Sequence, residues 1–311
     1  MHPDIAKSTV KKVKKVADEL GYIPNSVGRS LSTKKTNTIG IVVPKINHSF
    51  FSEIIEEIYI KAKALGYQII LMVSFENEEI ELTNVKSLLS MNVDGILIDS
   101  VSTSRECKFL PLISIHKKPL IFFDRKPRFV KKTESIVFND YDLTFRLTSR
   151  LIERGYKDIM YITGSQLINI CYDRLKGFKS AMKDSNLFVP KNRILTAARL
   201  DKSSGIEIFE KFISGKSKLP EVIVCVNDSI ALGVYDVCKK YDLKIPDDLG
   251  VVGFGHLKIS DFVKPPLSTV KLNLKNASIL GIENLVAKIN GGQNNTTTII
   301  DGEVILRESI K

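Results

Sequence analysis

Short apolar runs rich in β-branched residues recur along this chain. They stand at 38–44 (TIGIVVP), 67–73 (YQIILMV), 93–99 (VDGILID), 119–124 (PLIFFD) and 135–139 (SIVFN), and again at 158–163 (DIMYIT), 221–226 (EVIVCV) and 249–254 (LGVVGF). Apolar residues follow one another without polar alternation, the pattern of strands covered on both faces. The intervals between them are helix-length and amphipathic: in 53–65, Ile54, Ile55, Ile58, Ala62 and Leu65 fall on one side. Strand–helix alternation of this kind predicts an α/β fold of doubly wound parallel sheets joined by right-handed crossovers. With 311 residues the chain has material for two such lobes. Two polar interruptions, 124–135 (DRKPRFVKKTES) between the fourth and fifth strands and 264–267 (KPPL), fit two lobes with a ligand between them. The tail 296–306 (TTTIIDGEVIL) reads as two strands around a tight turn at Asp301–Gly302.

The first 36 residues differ from this body. They carry eight basic side chains against three acidic ones, a large part of the chain's net charge of +11. A basic arm on a nearly balanced body suits a polyanion such as DNA, and equally a solvated lysine-rich helix. Ser8 is placed to cap a helix whose Val10, Val13, Val16, Ala17 and Leu20 form one apolar stripe, and Gly21 to end it. Such a helix is marginal alone and needs something to pack on. A second short helix, 26–31, is started by Asn25.

Several classes of function find no support. Cys107, Cys171, Cys225 and Cys238 are far apart, giving neither a disulfide framework nor a cysteine zinc site and fitting a reducing cytoplasm. No apolar run is long enough to cross a bilayer, and the first thirty residues hold no signal core. There is no phosphate-binding glycine loop, nucleophile elbow or zinc-protease helix, and His2, His48, His116 and His256 lack metal spacing. No enzyme, cofactor or metal site is expected.

In series, LGYIPNSVGRSL (20–31), NTIGIVVPKINHSFFSEI (37–54), VDGILI (93–98), RLKGF (174–178), NDSIALG (227–233), IPDDLGVVGF (245–254), PPLSTV (265–270) and RES (307–309) resemble the LacI/GalR family of bacterial transcriptional regulators. The resemblance implies a helical DNA-binding headpiece, a hinge helix and a two-lobed, periplasmic-binding-protein-like core that binds an effector and dimerises. It divides the chain into a residual headpiece helix and hinge (1–36), an N-terminal lobe (37–138 plus 271–292) and a C-terminal lobe (139–270 plus 293–311). Only the third headpiece helix has a counterpart here, so the chain is expected to be truncated within its helix-turn-helix and, as written, not to read base edges in the major groove. In the hinge, the resemblance places Leu31 where paired leucines wedge into a DNA base step, with Asn25, Val27 and Arg29 beside it. Gly28 replaces the usual alanine, at about 1 kcal/mol of helix stability, which suits a helix that orders only on DNA.

Ligands of two-lobed α/β proteins lie at the carboxyl ends of the strands. That rule selects Asn47, Ser49, Phe50 and Phe51 after the first strand, Asp124 after the fourth and Asp140 after the fifth. One of the two phenylalanines is expected in the core and the other in the cleft. Arg174, heading the R-x-x-G-F element, can clamp hydroxyl or carboxylate oxygens. Asn227 can donate to and accept from a ligand, whereas Asp228 is expected only to cap a helix. Where family members carry an effector-binding aspartate this chain has Gly255, followed by His256, the weakest of these candidates. A sugar or sugar phosphate is the expected effector, with a nucleoside or purine second. The reading is an effector-responsive homodimeric regulator, expected to repress at a palindromic operator. Closure of the lobes, hinged near Asn139 and Pro265, would be reciprocally coupled to DNA binding. The competing readings are a ligand sensor without specific DNA binding and a solute-binding protein of a transporter.

Overall fold

The computed structural model describes residues 6–22, 35–47, 49–104, 107–131, 133–292 and 296–311. The chain forms two compact units, residues 1–37 and 38–311. The first contains helix α1 (Lys7–Glu19). Ser8 does not cap it: Ala6 holds the cap position and makes no side-chain bond, so Ser8 lies inside the first turn. Gly21, at φ +63°, ends the helix, and the Tyr22 amide returns to the Ala17 carbonyl as a left-handed C-terminal cap allows. Val13, Val16 and Leu20 of its apolar stripe are exposed. Asn25, Val27, Arg29 and Leu31 lie outside the described residues.

The second unit holds two parallel sheets. In the first, β1 (Thr38–Val43), β2 (Gln68–Val73), β3 (Gly95–Ile98), β4 (Leu120–Phe123), β5 (Ser135–Phe138) and β11 (Thr297–Ile300) run in the order β11-β5-β4-β3-β1-β2. The crossovers are α2 (Ser49–Ala64), α3 (Glu78–Ser90) and α4 (Leu110–Ile115). The second sheet orders β6 (Ile159–Thr163), β7 (Ile194–Thr196), β8 (Val222–Cys225) and β9 (Gly250–Val252) as β7-β6-β8-β9. Around it lie α5 (Asp140–Glu153), α6 (Asn169–Asp184), α7 (Lys202–Ser214) and α8 (Asp228–Lys240). β10 (Thr269–Leu272) joins β9 through a parallel bridge between Val252 and Ser268 and pairs antiparallel with β12 (Gly302–Ile305). The central strands are buried along their length, as their unbroken apolar runs require.

The tail departs from the sequence expectation. Residues 297–305 do not form a hairpin: β11 pairs parallel with β5, Ile300 opposite Phe138, while β12 pairs with β10 in the other lobe. Asp301 is therefore a crossing between lobes, and residues 297–300 belong to the N-terminal lobe rather than the C-terminal one. The other crossings run from β5 into α5 at Asn139 and from β10 at Asn273 into α9 (Leu274–Ile289), which packs on the first sheet. The second hinge is thus at Asn273, not Pro265. β7 and β10 were not legible as strands, β7 being three residues long and β10 (TVKL) carrying a lysine outward.

Candidate functional site

The carboxyl ends of both sheets face one cleft of ≈ 590 Å³, open solvent at its mouth included. Phe50 and Phe51 enter from the first turn of α2 and meet edge-to-face at 5.2 Å between ring centroids. Phe51 is buried and Phe50 half-buried, and both line the cleft. Asp124 and Arg125 follow β4, and Glu76 follows β2. From the other lobe come Arg174 in α6, Asp201 before α7, Asn227 after β8 and Phe254 after β9.

Arg174 is fixed from three sides. Its Nε donates to Asp140 Oδ1 at 2.6 Å, its Nη1 to the Val226 carbonyl at 2.7 Å, and its guanidinium lies 3.7 Å from the Phe254 ring centroid. Asp140 is buried behind it and does not line the cleft; it positions the arginine. Burial pushes the Asp140 carboxyl up to about 7 although Arg174 opposes the shift. Arg125 is as strongly committed. Its Nη1 donates to both oxygens of Glu76, at 3.2 and 3.0 Å, and its Nε stands 3.6 Å from Asp99 Oδ1. Burial works against the charge on Arg125, but Glu76, Asp99 and Asp124 outweigh it and raise its pKa.

The carboxylates are not all answered. Both oxygens of Asp99, Oδ1 of Asp124 and Oδ2 of Asp140 are buried without a hydrogen-bond partner among the described residues. Burial raises Asp99 well above the usual carboxylate range and raises Asp124, against the pull of neighbouring arginines. Asp124 also sits at φ +57°, in the left-handed region that a non-glycine residue occupies at some cost and that concentrates at functional positions.

The remaining candidates divide, Asn227 lining the cleft while also serving its helix. Asn227 caps α8, accepting from the Ile230 amide at 2.9 Å, and donates to the Leu200 carbonyl at 3.0 Å. Asp228, expected to be the cap, instead accepts from the Leu257 amide, Ser260 Oγ and Thr269 Oγ1. Those bonds fold the 255–260 segment against β10, and a Cβ on Gly253 would stand 2.1 Å from Asp228 Oδ1. Asn47 and Ser49 fall outside the cleft lining, as does His256, whose Nε2 meets Asp261 at 3.1 Å and Arg307 at 3.1 Å. Gly255 has φ +114°, a conformation foreign to side-chain-bearing residues, so the backbone itself disfavours an aspartate there.

Sequence reading missed Glu76, Asp99, Lys45 and Asp201. Asp99 ends a strand, as Asp124 does, and the same rule finds it; Glu76 sits in a loop with φ +58° and left no signal. Lys45 and Asp201 pair at 3.7 Å from opposite lobes. A second link closes the other side. The Lys126 amide donates to Asn169 Oδ1 at 2.8 Å, Asn169 Nδ2 donates to the Asp124 carbonyl at 3.0 Å, and the Arg128 amide donates to the Leu167 carbonyl at 3.0 Å. The Arg128 guanidinium then covers the Tyr172 ring at 3.4 Å from its centroid.

Two doubly wound lobes closing on a polar, aromatic-lined cleft define a small-molecule-binding module of the periplasmic-binding-protein type. The sequence profile of the family described as "Periplasmic binding proteins and sugar binding domain of LacI family" matches residues 36–304, and the chain belongs to that family. It is similar to the HTH-type transcriptional repressor PurR of Vibrio parahaemolyticus serotype O3:K6, with 28% identity over 99% of this chain and 91% of that protein. Catabolite control protein A of Priestia megaterium is 31% identical over 86% of this chain and 80% of its own length. The Lac repressor bound to ONPG shares the fold at a TM-score of 0.85 and 21% identity, over 99% of this chain and 92% of that one. The chain is thus a ligand-sensing transcription regulator of the LacI family, and its relatives are regulators rather than enzymes. No helix among the described residues is long and apolar enough to cross a membrane.

Proposed function

We propose that this regulator acts in the cytoplasm as a homodimeric repressor at a palindromic operator, and that an unphosphorylated sugar in the interlobe cleft sets its affinity for DNA. The observation that carries the choice of effector is that each cation lining the cleft among the described residues pairs with a carboxylate: Lys45 with Asp201, Arg125 with Glu76, Arg174 with Asp140. A phosphate would bring further negative charge to cations that are already paired, and displacing these carboxylates would leave them unpaired in a largely buried site. Sugar hydroxyls donate, which suits the spare acceptor Asp124 Oδ1 in the cleft wall, and the Phe50 and Phe51 rings suit a sugar face. The hinge residues Asn25, Val27, Arg29 and Leu31 are assigned to DNA by the family resemblance. Asp124, Arg174, Phe50, Phe51 and Asn227 form the proposed effector wall, Asp140 holds Arg174, and Asn47, Ser49 and His256 take no part.

The test is a melting-temperature screen of this chain against neutral sugars and their phosphates, followed by calorimetry on wild type and Phe50→Ala. Unphosphorylated sugars are expected to raise the melting temperature and to bind more weakly to the variant. Binding of phosphorylated sugars alone, or binding that F50A leaves untouched, overturns the assignment.

A further inference from the structure

Four carboxyl groups, those of Glu76, Asp99, Asp124 and Asp140, share only two guanidiniums at the centre of the cleft, those of Arg125 and Arg174. The other charges do not correct this imbalance, because Lys45 and Asp201 offset each other and the carboxylate of Asp228 is occupied by its three donors. Of the four, Asp124 is the one that lines the cleft while being 3% exposed, and its Oδ1 has no hydrogen-bond partner among the described residues. A hydroxyl would satisfy that oxygen with an ordinary bond; an ammonium also holds in its ionised form a carboxyl that burial pushes toward the neutral one, and the charge-assisted bond is the stronger. The surrounding aromatic faces of Phe50 and Phe51 favour a cation as well.

We propose that the effector carries a protonated amine, seated against Asp124, so that the ligand class is an amino sugar rather than a neutral one. The inference rests on the sugar-sensing reading above and deepens it. A bound ammonium supplies the donor that Asp124 Oδ1 lacks among the described residues. N-acetylation, which keeps the ring and removes the charge, abolishes the match.

The experiment is calorimetry of the whole 311-residue chain with glucosamine, galactosamine and mannosamine, each beside its N-acetyl derivative and its parent hexose, with glucose 6-phosphate as the anionic probe. One amino sugar is expected to bind about tenfold or more tightly than both its neutral counterparts. In Asp124→Asn the amino sugar is expected to lose its advantage over the parent hexose, both measured on that variant, with the melting temperature reporting that the variant is folded. If the variant is unfolded, the wild-type ranking alone decides. A neutral hexose binding as tightly as its amine overturns the inference and leaves the sugar-sensing reading standing. Binding of glucose 6-phosphate alone, or of no member of the panel, overturns both.

Discussion

Removing the Arg174 side chain would strand Asp140, which is 2% exposed and whose Oδ1 has no other hydrogen-bond partner among the described residues. Breaking one side of a buried ion pair costs more than the pair contributes, because the survivor stays charged out of water. Arg174→Ala is therefore expected to lower the unfolding free energy by about 3 kcal/mol or more, and R174M combined with D140N by clearly less than R174M alone, as read from urea titrations. Glu81 offers a pH test of the same physics. It is 1% exposed, accepts from the Val101 amide at 2.7 Å and Ser100 Oγ at 2.9 Å, and burial still pushes its carboxyl up to about 7. In the unfolded chain that carboxyl ionises near pH ~4, so between there and about 7 the unfolded state releases a proton that the folded state keeps. This group's contribution to stability therefore falls as pH rises through that window and is level above it. Glu81→Gln removes the titration, so its stability relative to wild type is expected to climb from pH 5 to pH 7.5 in denaturant titrations. A flat difference would contradict the burial argument.

Among the elements, α7 and α8 approach through two glycines. A Cβ on Gly205 would stand 2.5 Å from the Ile230 carbonyl oxygen, and one on Gly233 would stand 2.4 Å from that of Lys202. Both obstacles are backbone, which cannot turn aside. Gly233→Ala must part the helices and is expected to cost roughly 1–3 kcal/mol, seen as a lower melting temperature, despite alanine's better helix propensity. The strap between lobes is the other element-scale device. Asn169 at the start of α6 bonds the 124–126 backbone through both its side chain and its amide, so loop and helix move together. Periodicity marked α2 well, with Ile54, Ile58 and Ala62 buried as spaced, but Leu65 lies beyond the helix end and is partly exposed. The tail misled for a physical reason. An Asp-Gly dipeptide between two apolar runs reads locally as a hairpin, and only the distant partners β5 and β10, each offering an unpaired edge, decide that the two runs separate into different lobes.

At the scale of the whole molecule, three crossings and two non-covalent links govern how the lobes of residues 38–311 open. Asn169→Ala removes the side-chain half of the strap. It is expected to enlarge the radius of gyration in small-angle scattering, to speed amide exchange at 126–128 and to weaken effector binding; unchanged scattering and exchange would show that the strap does not hold the cleft. The sequence by itself determined the α/β class, the parallel sheets and the strand-end position of Asp124, because covered strands and crossover helices impose local periodicities that survive in one dimension. It also carried the family resemblance, since that rests on short motifs in order. The tertiary structure alone decided which lobe each tail strand joins, that Asn227 caps its helix while Asp228 braces a loop, and that Glu76 enters the cleft while Asp99 stands behind Arg125. Each of these depends on which groups from distant segments meet in a place without water. Pairing, desolvation and the excess of carboxylates over arginines are properties of that meeting, and no local pattern in the chain encodes them.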